Sequence, residues 1–254
     1  MSQQRNKIFF ASDFHLGAAA IEGSKDREKK IVEWLHLVGP QASEIFLVGD
    51  IFDYWFEYAE VIPKGYTRLL GTIAKYADAG VKFHFFTGNH DMWVFDYFTK
   101  ELGMDIHYTP KVFERFGKKI FVGHGDGLGP GDRSYKMIKK VFNHRLSKWL
   151  FARIHPNTGI KIMRSTSKSS RLSDSEQDHI QNMADEWLVQ FSEEYLKDNQ
   201  IDYFIFGHRH IPITHTLSNG KSVYFNLGEW WKSCTYLEMG VEEIGLKRFD
   251  VGVI

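Results

Sequence analysis

The sequence predicts an α/β protein: one domain over residues 1–254, built as an αββα sandwich with a helical insert at about residues 133–172. Three observations predict it. A length of 254 residues with 43% hydrophobic and 15% aromatic content suits one large core and argues against extended disorder. Residues 7–91 alternate apolar strand-like runs with helical stripes, the β-α-β-α-β rhythm of a parallel sheet with right-handed crossovers. Short clusters of Gly, Asp, Asn and His close the apolar runs, at the strand ends where such sheets bind ligands.

Element by element, residues 7–12 predict a buried first strand followed by an Asp-x-His turn. Residues 24–38 place Ile31, Trp34, Leu35 and Val38 on one helical stripe. Residues 44–48 predict a second strand running into Gly49-Asp50. Residues 66–79 suit a helix stopped by Gly80, and residues 81–87 a third strand ending at Gly88-Asn89-His90-Asp91. Residues 111–116 and 119–122, joined around Gly117, predict a hairpin whose exit carries Gly123-His124. Helical patterning covers the insert, and residues 173–196 predict one long helix with Asp174, Glu176 and Asp178 favouring its start. Residues 202–206 predict a buried strand feeding Gly207-His208-Arg209-His210. Residues 213–217, 222–227 and 234–239 predict three short strands that finish the chain.

Strands that end together bring these distant clusters to one sheet edge. Carboxylate, carboxamide and imidazole in one place suit two divalent ions and metal-assisted hydrolysis of a phosphate ester or anhydride. Hard ions prefer oxygen alone, so the mixed donor set points to Mn²⁺, with Fe or Zn as alternatives, rather than Ca²⁺. Asp50, in the middle of the inferred strand order, is the natural bridge. Asp13, His15 and His210 fall to one ion, and Asn89, His124 and His208 to the other. Any one of these motifs is common by chance; all five in order are specific. The remaining histidines (His36, His84, His107, His144, His155, His179 and His215) are expected to be ordinary surface or core residues.

Together, Asp13-x-His15, Gly49-Asp50, Gly88-Asn89-His90-Asp91, Gly123-His124 and Gly207-His208-x-His210 resemble the calcineurin-like metallophosphoesterases. The resemblance implies a four-layer αββα sandwich and two metals on the residues named above. It also implies that His90 assists the leaving group or steadies the transition state, with Asp91 as its orienting partner.

The formal net charge of zero hides a segregation. Residues 133–171 hold eleven Lys or Arg and no Asp or Glu, leaving 21 basic against 32 acidic residues elsewhere. The cations are interleaved with large apolar side chains such as Phe142, Leu146, Trp149, Leu150 and Ile162. That pattern suits an anionic lipid surface; a lid whose charges are merely solvated is the alternative. A narrower resemblance accompanies it. Gly123-His124-Gly125-Asp126-Gly127-Leu128 with Asp132, Ser165-Thr166-Ser167-Lys168, and Leu227-Gly228-Glu229-Trp230 are similar to the UDP-2,3-diacylglucosamine diphosphatases of lipid A synthesis. The resemblance implies a lid over the acyl chains and hydrolysis of the pyrophosphate to UMP and 2,3-diacylglucosamine 1-phosphate at the inner membrane. It makes Asn89, His90, Asp132, Arg164, Ser167, Lys168, Arg171 and His208 candidate substrate contacts. One position departs: the best-known members of that group carry Arg where this chain has His90. Arg only stabilises phosphate charge, whereas His also delivers a proton.

Other features bound the alternatives. The single cysteine, Cys234, excludes an intrachain disulfide and permits a reducing compartment. The apolar run 8–11 is too short for a signal peptide, and no stretch approaches the roughly 20 apolar residues that cross a bilayer. The expected location is the cytosol, peripherally on the inner membrane, with a nucleotide-linked glycolipid as substrate and neither nucleic acid nor an obligate protein partner. A soluble phosphodiesterase or nuclease is the second enzyme reading, and a non-catalytic scaffold of the same fold the third. Among the aromatic residues near the motifs, Trp55 and Trp93 are the candidates for walling a substrate chamber.

Overall fold

Strands β1 (Lys7–Ala11), β2 (Ala42–Val48) and β3 (Lys82–Phe86) run parallel in neighbouring register, connected by helices α1 (Ser24–Val38) and α2 (Thr67–Asp78). The computed structural model describes residues 5–18, 21, 23–130, 133–174 and 182–250. Side chains alternate across these strands. Phe9, Ile45, Leu47, Phe83 and Phe85 face the helices, and Ile8, Phe10, Phe46, Val48 and Phe86 face a second sheet. Burial on both faces explains why the strands are apolar throughout instead of alternating with polar residues. The buried carboxylate of Glu28 on α1 accepts the main-chain N–H groups of Arg68 and Leu69, which fixes the start of α2.

Helix α3 (Tyr97–Leu102) and strand β4 (Asp105–His107) extend the first sheet at one edge. The hairpin β5 (Lys111–Arg115) and β6 (Lys118–Val122) opens the second sheet. Strands β7 (Tyr203–Phe206), β8 (Pro212–Thr216) and β9 (Val223–Leu227) complete it in the order β5-β6-β7-β9-β8. Strands β10 (Thr235–Met239) and β11 (Ile244–Arg248) return to the first sheet, giving β11-β10-β1-β2-β3-β4. Helices α1 to α3 cover one outer face, and helix α7 (Trp187–Leu196) packs on the outer face of the second sheet through Leu188 and Val189. The result is the expected αββα arrangement, with β2 between β1 and β3.

The basic segment forms α4 (Arg133–Asn143), α5 (Arg145–Phe151) and α6 (Pro156–Asp174). These helices dock through a few apolar anchors. Phe151 meets the rings of Phe56 and Trp93 at 4.7 Å each, and Trp93 Nε1 donates to the carbonyl of Phe142 at 3.0 Å.

Three features differ from expectation. The long helix expected over 173–196 is broken: α6 is described to Asp174, and a 3₁₀ turn (Met183–Asp185) precedes α7. Asn182 and Glu186 sit in extended backbone and accept the N–H groups of Ala184 and Leu188, so two N-caps start new helical segments inside the expected span. Helix α3 and strand β4 were too short to show a period. Strand β11 carries Gly245 and few apolar residues, and holds its place by pairing with β10.

Candidate functional site

The carboxyl ends of β1, β2 and β3 in one sheet meet the exits of β6 and β7 in the other, and main-chain bonds tie the loops together. Asp13 N donates to Gly49 O at 3.1 Å, His15 N to Asp50 O at 2.9 Å, and Gly207 N to His124 O at 3.0 Å. The loops turn sharply. Asp13, His15, Asp50, His208 and His210 all hold positive φ, between 43° and 71°, a conformation that costs non-glycine residues energy and gathers at functional sites. The neighbouring glycines supply space: a Cβ at Gly207 would come 2.6 Å from Asp13 Oδ2, and one at Gly88 would collide with the carboxylate of Asp50.

Of the three groups of donor atoms among the described residues, one is His15, Asp53 and His90, and the other two match the expected metal residues. Asp13, His15 and His210 form one, and Asp50, His124 and His208 the other; within each group the donor atoms lie within 4.8 Å of one another. Asp50 Oδ2 joins them, 3.7 Å from His15 Nε2 and 3.2 Å from His124 Nε2. Asn89 Oδ1 is 3.2 Å from His124 Nε2 and completes the second group. The structure thus brings together all seven residues assigned to the metals from sequence.

The spacing suits cations. Two ligands about 2.1 Å from an ion, at roughly tetrahedral angles, stand about 3.2–3.4 Å apart. His15 Nε2 and His210 Nε2 are 3.2 Å apart, and His210 Nε2 and Asp13 Oδ1 3.3 Å. Asp13 Oδ1 is fully buried and accepts no hydrogen bond, a cost that a bound cation would remove. His124 Nδ1 donates to Val48 O at 2.9 Å, which leaves Nε2 as the ligating nitrogen.

Charge in the site points the same way. Burial lowers His15 to about 3 and His208 to about 4, so these imidazoles are neutral, the form that ligates a metal. Burial would also lower His124, but the charge and hydrogen bond of Asp50 raise it to about 10. Burial opposes the charge of Asp13 as well, and His15 and His210 hold its carboxyl well below the usual range. Burial alone disfavours charge on these rings, while the ionised carboxylates of Asp13 and Asp50 supply the negative charge that a cation would meet.

His90 lies at the edge of the first group, its ring centroid 4.8 Å from that of His15. Its main-chain N–H donates to Asp50 Oδ1 at 2.9 Å. The expected partnership with Asp91 is not observed. Asp91 is fully buried and its carboxyl group accepts the N–H groups of Gly88, Asp50, Ile51 and Phe52, because the turns after β2 and β3 leave those donors pointing inward. His90 Nδ1 instead faces Asp53, 3.1 Å from its carbonyl oxygen and 3.7 Å from Oδ1. Asp53 also stands 3.5 Å from His15 Nδ1. Sequence reasoning missed Asp53; its signal was the spacing Asp50-x-x-Asp53, hidden among aromatic neighbours.

Of the candidate substrate contacts, Arg164 on α6 reaches the hydroxyl of Tyr54 at 3.2 Å and lies 5.4 Å above its ring, beside Asp53 in sequence. Asn89, His90 and His208 lie at the metal groups themselves. Ser167, Lys168 and Arg171 fall on α6, but their side chains, like all of Asp132, lie outside the described residues. Trp55 is no chamber wall: it is fully buried in the core, with Nε1 donating to Glu57. Trp93 is also buried and anchors the insert. Arg27 and Lys139 are further residues not anticipated. Buried Arg27 donates to the carbonyls of Phe14 and His15 at 2.8 and 2.9 Å and braces the first metal loop. Lys139 on α4 reaches Asp126 Oδ2 at 2.5 Å.

The chain is similar to several known proteins. A protein of Porphyromonas gingivalis named UDP-2,3-diacylglucosamine hydrolase is 36% identical over 245 residues, covering 91% of this chain and 93% of that protein. One of the same name from Histophilus somni is 26% identical and covers 92% of this chain and 96% of its own. Among solved structures, a phosphoesterase from E. coli aligns with a TM-score of 0.45 at 14% identity, covering 96% of this chain and 100% of that one. The sequence pattern of the calcineurin-like phosphoesterases matches residues 6–212, the span that carries all five motifs. With a paired His/Asp centre on an αββα scaffold, this chain belongs to the calcineurin-like phosphoesterase family.

Proposed function

We propose that this chain hydrolyses the pyrophosphate bond of UDP-2,3-diacylglucosamine to UMP and 2,3-diacylglucosamine 1-phosphate. The observation that carries a two-metal hydrolase is Asp50 Oδ2, set between two groups of ligands. The choice of substrate is supported by the relatives of that name, which align along nearly the whole chain. Asp13, His15, His210 and Asp50 would hold one divalent ion, and Asp50, Asn89, His124 and His208 the other. Such a pair supplies Lewis acidity, activating water near neutral pH and neutralising charge on the phosphoryl oxygens. Two carboxylates, one amide and four imidazoles suit Mn²⁺, Fe²⁺ or Zn²⁺ rather than Ca²⁺, and of these Mn²⁺ is the ion proposed.

The protein's own groups do the rest. His90, with Nδ1–H held by Asp53 O, would act as the imidazolium, giving its Nε2 proton to the departing phosphate oxygen and ending as the neutral ring. Buried Asp13 and Asp50 hold the imidazoles in place, and Arg27 keeps the His15 loop in its strained conformation. Arg164, held beside Tyr54, would meet the glycolipid headgroup.

The proposed setting is the cytosolic surface of the inner membrane. Met137, Val141, Leu146, Trp149 and Leu150 are each more than half exposed on α4 and α5, among lysines and arginines. Apolar residues spaced by three and four on cationic helices dip into a lipid interface. Among the described residues no helix is long and apolar enough to cross a membrane. Purified protein with Mn²⁺ and micellar UDP-2,3-diacylglucosamine should release UMP in step with the lipid monophosphate. No UMP under any of Mn²⁺, Fe²⁺ or Zn²⁺ would remove the proposal.

A further inference from the structure

The metal centre opens on one side into a cavity of about 610 Å³, lined in part by His124. It lies between the loop after β4 and helices α4 and α5. Its size falls within the range of small-ligand pockets, about 300–1,000 Å³. Arg164 and Tyr54 do not line it; Tyr54 belongs to a separate narrow crevice walled by Phe56, Phe151, Ile160 and Met163. The two spaces differ in chemistry, one cationic and one apolar.

Lys136, Lys139, Lys140 and Lys148 all line the larger cavity. Among the described residues only Asp126 offers them a carboxylate, and it takes Lys139. Lys136 Nζ donates to the carbonyl of Gly129 at 2.7 Å, and Lys148 Nζ stands 5.4 Å from the ring centre of Phe95. Four ammonium groups facing one carboxylate leave a surplus of positive charge that an anion would neutralise. Tyr108 adds a flat apolar surface: its side chain is half exposed in the cavity wall, with the hydroxyl donating to Phe95 O at 3.1 Å. A planar base stacks on such a ring.

A pyrophosphate diester held at its centre by the metals must send its two ends in different directions. The cationic, aromatic cavity suits the charged and planar end, whereas the crevice under α6 is apolar but, at about 20 Å³, too narrow as it stands to hold an acyl chain. We infer that this cavity seats the nucleoside monophosphate half of the substrate, its base on Tyr108 and its phosphate toward Lys136, Lys140 and Lys148. The assignment rests on the pyrophosphatase activity proposed above and adds the direction in which the substrate lies.

The test uses the full chain with Mn²⁺ and two probes, UMP and 2,3-diacylglucosamine 1-phosphate in detergent, titrated calorimetrically. Tyr108→Ala, and Lys140→Ala with Lys148→Ala, should each weaken UMP binding about tenfold, a loss near 1.4 kcal/mol. Binding of the lipid product should stay within about twofold, the same scale setting what is negligible. Photo-crosslinking of wild-type protein with 4-thio-UMP should label the peptide that contains Tyr108, which keeps the test open if a variant fails to fold. Unchanged UMP affinity in the folded variants, an equal loss for the lipid product, or a label confined elsewhere overturns the assignment. If the wild type binds UMP but releases none from UDP-2,3-diacylglucosamine, the pyrophosphatase proposal falls, and this assignment with it.

Discussion

His90 turns Nδ1 to the main-chain carbonyl of Asp53, 3.1 Å away, and not to Asp91 beside it in sequence. Because the acceptor is a carbonyl, Nδ1 carries the hydrogen, which leaves Nε2 for the phosphate in the mechanism proposed above. The anchor is main chain, so it survives changes to the Asp53 side chain.

His90→Ala should therefore lower kcat by about 10²–10⁴-fold, the range for loss of a positioned general acid. The loss should be greatest for leaving groups of high basicity, which need the proton most. A series of aryl phosphodiesters with graded leaving groups measures this. A uniform loss across the series would assign His90 to charge stabilisation alone.

Asp91 carries a different prediction. Its carboxylate gathers four main-chain N–H groups from the turns after β2 and β3. Asp91→Ala leaves those buried donors unmatched and should cost about 3 kcal/mol of stability, the penalty for buried N–H groups without acceptors. Urea denaturation of the metal-free protein reads this directly. A loss of activity with an unchanged midpoint would instead give Asp91 a role in chemistry.

His124→Ala removes a nitrogen that faces both Asp50 Oδ2 and Asn89 Oδ1 at 3.2 Å. Metal content by elemental analysis should drop from two ions to one per chain, and turnover should vanish. Full activity with a single ion would refute the paired centre. Calorimetric titration of Mn²⁺ separates the two ions by affinity and does not depend on turnover.

What the sequence showed and what it hid follow from the same physics. The metal residues were legible because each closes a strand, and parallel strands place their ends at one edge. Asp53 was not, because it sits three residues past Asp50 on an irregular stretch with no period to read. Lys139 and Arg27 were missed for another reason. Each acts by reaching across the fold, to Asp126 and to the carbonyls of Phe14 and His15, and no local pattern reports a long-range contact. His84 looked like a polar residue alternating with Phe83 and Phe85; it is buried between the sheets, with Nε2 2.9 Å from Glu44.

Arg164 links the insert to the body through Tyr54. Arg164→Ala should raise KM for UDP-2,3-diacylglucosamine by about tenfold, a loss typical of one charged contact near 1.4 kcal/mol. Turnover of a small chromogenic phosphodiester, which never reaches α6, should hardly change. Equal effects on both substrates would take α6 out of substrate recognition.

The chain Arg115–Glu44–His84–His107 predicts how stability follows pH. Arg115 Nη2 donates to Glu44 Oε2 at 2.9 Å, and His84 Nδ1 lies 3.2 Å from His107 Nε2. Burial would raise Glu44, but the hydrogen bonds and charge of His84 and Arg115 bring it down to about 2 from an ordinary 4.5. Burial, with the charges of His84 and Lys111, lowers His107 to about 4 from 6.5. Both folded values are depressed, so in each case the unfolded chain takes up a proton first as pH falls. The contribution of His107 is therefore whole above pH 6.5 and lost toward pH 4, and that of Glu44 is whole above pH 4.5 and lost toward pH 2. Urea midpoints of the metal-free protein should drop in these two overlapping windows. His107→Asn should shrink the drop in the upper window, which buried His15 and His208 share, and Glu44→Gln should shrink the lower one. Curves that stay parallel to the wild type in both variants would place the acid sensitivity elsewhere, in the buried carboxylates of the metal centre.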